Sequence, residues 1–270
     1  MLKSAGLIWN KKNQNAVICA GKAASFFRNH QIKPIDLQGD SSFDSPEIIV
    51  SFGGDGTLLI GARYAMKYDV PLLGINLGTV GFLTEEDPEH LEEALTAIIR
   101  SGYQLEKRSL LKVINSGSGE TFFALNDAVI TRGGYARLIS VDASVNCNGY
   151  GTFTADGIIV ATPTGSTGYS LSAGGPIVEP GVDCMIITPV CAHSMKHCPC
   201  IVPCSADIRL LLNPDREQTA ELQIDGQSMG SLNAGDEVHV TGSDKTIRLV
   251  RLHSYDFFSL VHKKLSEWGS

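Results

Sequence analysis

The sequence predicts an α/β domain with a Rossmann-like parallel sheet, then an all-β domain of β-sandwich type, and finally a C-terminal helix that packs back. Three observations carry this prediction. Apolar strand-like runs alternate with helical spacing over the first part of the chain, short β-rich runs divided by turn residues follow, and an amphipathic stretch closes it. The boundaries expected are 1–105 for the α/β domain, 106–252 for the all-β domain and 253–270 for a helix returning to the first domain.

In the first domain, Ala5–Trp9 starts a strand and Ala16–Asn29 has helical spacing. Glu47–Phe52 is a compact apolar run ending in glycines, and Thr57–Tyr68 resumes the helical period. Pro71–Asn76 is another short apolar run. Pro88–Ser101 reads as a helix whose acidic residues near the start suit the helix dipole. From Arg108 the period changes. Leu110–Ile114, Thr121–Leu125, Ala128–Thr131, Ile139–Val145, Gly157–Ala161, Cys184–Pro189, Ile208–Leu212, Ala220–Ile224, Glu237–Val240 and Thr246–Leu252 are short and β-rich. Turn clusters such as NCNGYG, DGQSMG, NAGD and TGSD separate them. The tail Tyr255–Trp268 is amphipathic, with Phe258, Val261 and Leu265 on one side.

Composition narrows the class. The chain has 270 residues, 43% hydrophobic and 19% charged, enough for a substantial core. A net charge of −7 without a dense Lys/Arg run argues against nucleic acid and anionic membrane as partners. No window reaches the roughly 18–20 apolar residues that span a bilayer, and the N-terminus lacks a signal-peptide pattern, so a cytoplasmic location is expected. Five of the seven cysteines fall between Cys184 and Cys204. Cys198, Cys200 and Cys204, with His193 and His197 near, could form a metal site, but zinc sites usually pair separated couples. Buried structural thiols are the expectation.

Chemistry concentrates in three places. Gly53-Gly54-Asp55-Gly56-Thr57 lies between an apolar strand and a helix, where bare backbone N–H groups can approach phosphate. A tight turn with Asp as helix N-cap is the plainer alternative. It matches neither a Walker loop nor the dinucleotide fingerprint. Asp156–Pro176 runs from a strand into Thr162–Pro176, fifteen residues that are almost all Thr, Ser, Gly or Pro, with Tyr169 offering a ring to a base. Asn126-Asp127 can pair with a base edge and accept two ribose hydroxyls, although alone it is an ordinary turn dipeptide.

Together, in this order and spacing, Gly53–Thr57, Asn126-Asp127, the Asp156–Pro176 block and Asp225-Gly226-Gln227 resemble the NAD kinase family. The resemblance implies transfer of a phosphoryl group from ATP or polyphosphate to the adenosine-ribose 2′-hydroxyl of NAD. It makes Asp55 the catalytic base, with Gly54 and Gly56 against phosphate, Asn126 on the adenine and Asp127 on ribose hydroxyls. Asp156, Thr167, Gly168, Tyr169, Ser170, Ser172 and Gln227 line the dinucleotide site, and Arg137 falls where the family has a ligand-facing polar residue. Mg²⁺ or another divalent cation would bridge donor phosphates with few protein ligands, so no residue is assigned to metal. A homodimer or homotetramer is implied as well.

This sequence departs from the family at Gly168, usually Ala, at Thr154, often Arg, and at Cys198, usually Arg. A lipid kinase shares the GGDGT turn but lacks the Asp156–Pro176 block, and a non-catalytic dinucleotide-binding regulator would have no need of Asp55.

Overall fold

The computed structural model describes residues 2–39, 45–78, 81–133, 137–192, 198–254 and 256–268. The chain divides into two units, Met1–Lys107 with Ile247–Ser270, and Arg108–Thr246.

The first unit contains strands β1 (Ser4–Trp9), β2 (Lys33–Asp36), β3 (Ile48–Gly53) and β4 (Leu72–Asn76), with helices α1 (Gln14–Asn29), α2 (Asp55–Tyr68) and α3 (Leu91–Ile99). Its strands lie in the order β2-β1-β3-β4, all parallel. Every residue of β3 and β4 is buried, which is why these runs are apolar throughout rather than alternating. Alanines 16, 20 and 23 and Phe27 of α1, with Leu91, Leu95 and Ile98 of α3, cover Leu7, Val50, Leu73 and Ile75 on one face. Helix α2 covers the other, where Leu58 leaves no room for a Cβ at Gly74. The strand β2 carries Pro34 and is only partly buried, so its sequence gave no apolar run to read.

The second unit is a sandwich. One sheet has six antiparallel strands in the order β12-β11-β10-β7-β14-β15: Cys200–Pro203, Cys184–Val190, Gly157–Ala161, Asp127–Thr131, Thr219–Ile224 and Gln227–Asn233. The other is built from β5 (Gln104–Asn115), β6 (Thr121–Ala124), β8 (Ile139–Val145), β9 (Asn148–Ala155), β13 (Ile208–Leu212) and β16 (Glu237–Arg251). Alternate residues from both sheets, among them Val113, Val141, Ile158, Met185, Leu210 and Leu222, form the core between them. Outside the six-stranded sheet, Val178 packs with Val129, Ile159 and Ile186. The central strands β7, β10 and β11 are therefore apolar on both faces.

Several expectations need correction. Strands β9, β12 and β15 lie where the sequence shows turn residues or no clear run. The segment Glu237–Arg251 is one strand, not two strands separated by a TGSD turn. Of the cysteines between Cys184 and Cys204, Cys184 is buried, but Cys191 and Cys198 are exposed and Cys200 and Cys204 half-buried; all are free thiols. His193 and His197 lie outside the described residues. The closing helix α5 (Phe257–Trp268) turns Phe257 and Lys264 inward and leaves Phe258 and Leu265 exposed. Its two candidate apolar stripes lie one residue, about 100°, apart on the helix, and composition does not choose between them. Among the described residues no helix is long and apolar enough to cross a membrane.

Candidate functional site

In the first unit, β3 delivers the chain to Gly53, whose missing Cβ makes room for Thr57. Gly54 is the N-cap of α2 without any side-chain cap, and neither Gly54 nor Gly56 would meet protein within 4 Å if given a Cβ. These two glycines are not required by packing and leave uncapped backbone N–H groups at a helix N-terminus. They line a cavity of about 560 Å³ together with Trp9, Lys11, Lys12 and Gln38.

Asp55 does not cap α2. Its carboxylate accepts the backbone N–H groups of Phe82 (2.9 Å) and Leu83 (3.2 Å). A Cβ at Gly81 would overlap Asp55 Oδ1, so glycine there is a condition of the carboxylate's position. Beside it, Asn76 pairs with Gly53 across the sheet and is buried, its Oδ1 without a hydrogen-bond partner among the described residues. The sequence reading passed over Asn76, and a polar residue closing an apolar strand at the sheet's C-terminal edge is the signal that could have marked it.

In the second unit, the Asn126-Asp127 turn is held from two directions. Thr162 Oγ1 donates to the Leu125 carbonyl (2.6 Å), and the Thr162 N–H donates to the Asn126 carbonyl (2.9 Å). Gly165 lies so close to the Asn126 backbone that no side chain fits. From the other direction, the Asp225 carboxylate accepts the N–H groups of Leu125 (3.0 Å), Asn126 (2.7 Å) and Asp127 (3.2 Å). Asn126 Oδ1 is buried and has no partner among the described residues, an acceptor left for a donor from outside. Asp127 is 5% exposed. Burial, and then the like charge of Asp225, push its carboxyl up to about 7.

The remaining predicted residues divide. Gly168 approaches Asn126 Nδ2 and Asp127, and an Ala Cβ there would lie 3.6 Å and 4.0 Å from them. Tyr169 is exposed, and its phenol is raised by burial and then by Cys191, Asp156 and Asp127. Ser172 and Gln227 are exposed, and Thr167 is half-buried with its hydroxyl on the Thr164 carbonyl. Ser170 is fully buried and bonded to Thr188 (2.8 Å), so its hydroxyl faces the sheet and not a ligand. Arg108, which the sequence reading missed, is 1% exposed and donates to Thr164 (3.2 Å), supporting the loop from beneath. Asp156 pairs with Arg132 (2.7 Å). Thr131 lies opposite Gly157, and Asp127 opposite Ala161. The backbone at Asp156 is thus beyond the far end of the ladder from Asp127, roughly 16 Å away along the strand at the usual rise. Arg137 lines a separate cavity of about 840 Å³ with Arg216 and Gln218. Within one chain, neither Asp156 nor Arg137 joins the Asn126-Asp127 turn.

Comparison with known proteins places both units in one family. Family profiles described as the ATP-NAD kinase N-terminal and C-terminal domains match residues 12–103 and 125–252. An NAD kinase of Geobacter sp. (strain M21) is 41% identical over 226 residues, 83% of this chain and 78% of the relative. An NAD kinase of Geobacter metallireducens is 39% identical over 246 residues, 89% and 86% of the two chains. Among solved structures, yeast NADH kinase complexed with NADH shares the fold at a TM-score of 0.89 and 24% identity, covering 100% of this chain and 88% of that one. An Archaeoglobus fulgidus NAD kinase in complex with ATP has a TM-score of 0.76 and 27% identity, covering 97% and 98%. Both units thus match one family, and this chain belongs to the NAD kinase family.

Proposed function

We propose that this enzyme transfers a phosphoryl group from ATP or polyphosphate to the adenosine-ribose 2′-hydroxyl of NAD, giving NADP. The observation that carries this reading is the clamped Asn126-Asp127 turn, which holds an amide oxygen with no partner among the described residues beside a buried carboxylate. An adenine amino group can donate to the first, and ribose hydroxyls to the second. Asp55 accepts the proton of the attacking 2′-hydroxyl. The uncapped amides at Gly54 and Gly56, with Lys11 and Lys12, receive donor phosphates.

The described residues contain no cluster of three His, Cys, Asp or Glu side chains suited to a metal. An Mg²⁺ ion would be carried on the donor's phosphates, with the Asp55 carboxylate at this turn. When bound, the ion would neutralise charge developing on the transferred group. A homodimer or homotetramer is part of the proposal. Asp156 and Arg137 lie away from Asp127 in their own chain, and a second copy would give them a ligand to face.

The test is NADP formation by purified protein with NAD, Mg²⁺ and either ATP or polyphosphate, run beside Asp55→Ala. Product from the wild type and a loss in kcat of roughly 10²–10⁴ in the variant are expected. No product with any donor, from folded protein that still binds NAD, would instead identify a regulatory dinucleotide binder.

A further inference from the structure

Asp225 is not a ligand-facing residue in the reading above, yet it makes three of the hydrogen bonds that define the site. It begins a two-residue hairpin turn joining β14 to β15. Asp225 and Gly226 have φ of 48° and 72°, the paired positive values that an Asp-Gly hairpin turn adopts. The turn projects its carboxylate onto three consecutive amides from a segment about a hundred positions earlier in the chain, and the Asp225 N–H donates back to the Asp127 carbonyl (3.0 Å). A neutral acceptor could hold amides too. A carboxylate here sets a second negative charge against a buried acid, which is costly unless it serves a purpose.

We infer that Asp225 is a positioning residue that holds the Asn126-Asp127 turn in its ligand-ready geometry and, by opposing Asp127 with a like charge, makes dinucleotide binding pH-dependent near neutrality. This rests on the proposed function, because it takes NAD as the ligand of that turn.

Among the described residues, few groups face Asp127. Asp225 approaches from the β14–β15 turn, and Tyr169 from the short helix Tyr169–Ser172. The segment 162–168 brings hydroxyls and amides but no charge, and Arg108 beneath it is bonded to Thr164. Ribose hydroxyls donate to an ionised carboxylate, so binding weakens as Asp127 takes up a proton. With that carboxyl pushed up to about 7, the dissociation constant for NAD should rise about tenfold from pH 8 to pH 6. Asp225→Asn keeps an oxygen for the Asn126 and Asp127 amides but removes the charge. Asp127 then titrates at lower pH, and the rise should shrink to about threefold. Asp225→Ala removes the acceptor as well and should weaken binding across the whole range, raising KM for NAD more than it lowers kcat.

The experiment is calorimetric titration of NAD into the full chain from pH 6 to pH 8, for the wild type, Asp225→Asn and Asp127→Asn, with folding checked by near-UV circular dichroism. A steep wild-type profile, flattened in both variants, supports the inference. If Asp225→Asn does not fold, the Asp127→Asn profile still decides, because an unchanged slope there removes Asp127 as the titrating group and overturns the inference. Wild-type binding with an identical profile in a folded Asp225→Asn overturns this inference alone. A wild-type chain that binds no NAD at any pH overturns the proposed function and this inference with it.

Discussion

Two carboxylates carry most of the proposed chemistry, and their surroundings differ. Asp55 is half-buried and accepts two backbone N–H groups from 82–83. Gly81→Ala would push a methyl group into Asp55 Oδ1. Phosphoryl-transfer kcat should fall at least tenfold while NAD affinity stays within about twofold, as expected for misplacement of a catalytic group; steady-state kinetics beside an NAD titration would test this. Asp127 carries the opposite burden. Its carboxyl is pushed up to about 7 from the ordinary aspartate value of 3.8, so the folded state holds a proton that the unfolded state has lost between those values. Stability from this group therefore falls as pH rises through that window. Asp127→Asn should stabilise the ligand-free protein at pH 8 and lose the advantage below pH 4, which thermal melts across that range would reveal.

At the scale of elements, the open end of α2 is the feature with the clearest consequence. A 14-residue helix begins after Gly54, its N-cap, with no side-chain cap, and Lys11 and Lys12 line the cavity in front of it. Lys11 is tethered to the Gln38 carbonyl (3.4 Å) and stacks over Trp9. Replacing both lysines by Ala should raise KM for the phosphoryl donor about tenfold or more with little change in KM for NAD. Steady-state kinetics with each substrate varied would separate the two constants, and an equal rise in both would remove the lysines from the donor's path. Strands with fully buried apolar residues, such as β3, β4 and β10, were legible in the sequence because burial on both faces leaves one signature. Strands β9 and β15 were not: half of β9 and most of β15 is exposed, and glycines and polar residues break any apolar pattern. Gly242 misled the reading within β16: it is glycine because Cys204 presses against it, not because the chain turns there.

Across the whole molecule, the chain returns to its first unit through β16, and a buried cation secures that return. Arg251 is 4% exposed and pairs with Glu85 (2.7 Å) and Glu106 (2.6 Å), while Glu85 also accepts the Leu252 N–H. Arg251→Ala would leave two carboxylates facing each other in a largely dry site, and a loss of about 3–5 kcal/mol is expected in urea unfolding. A loss below 1 kcal/mol would mean that water reaches the pair. These partners are separated by 145 and 166 positions, so no local pattern announces them.

The sequence by itself determined the two-part α/β and all-β architecture, the GGDGT turn, the Asn126-Asp127 pair and the ordered polar block, because each depends on residues adjacent or periodic along the chain. The tertiary structure alone decided which of those residues meet. It set Asp225 on the Asn126-Asp127 turn, Gly81 under Asp55 and Arg108 beneath Thr164, and it parted Asp156 and Arg137 from Asp127. The physical reason is that hydrogen bonds and like-charge pairs act over a few ångströms of space, and only the folded path of the chain brings residues many positions apart within that range.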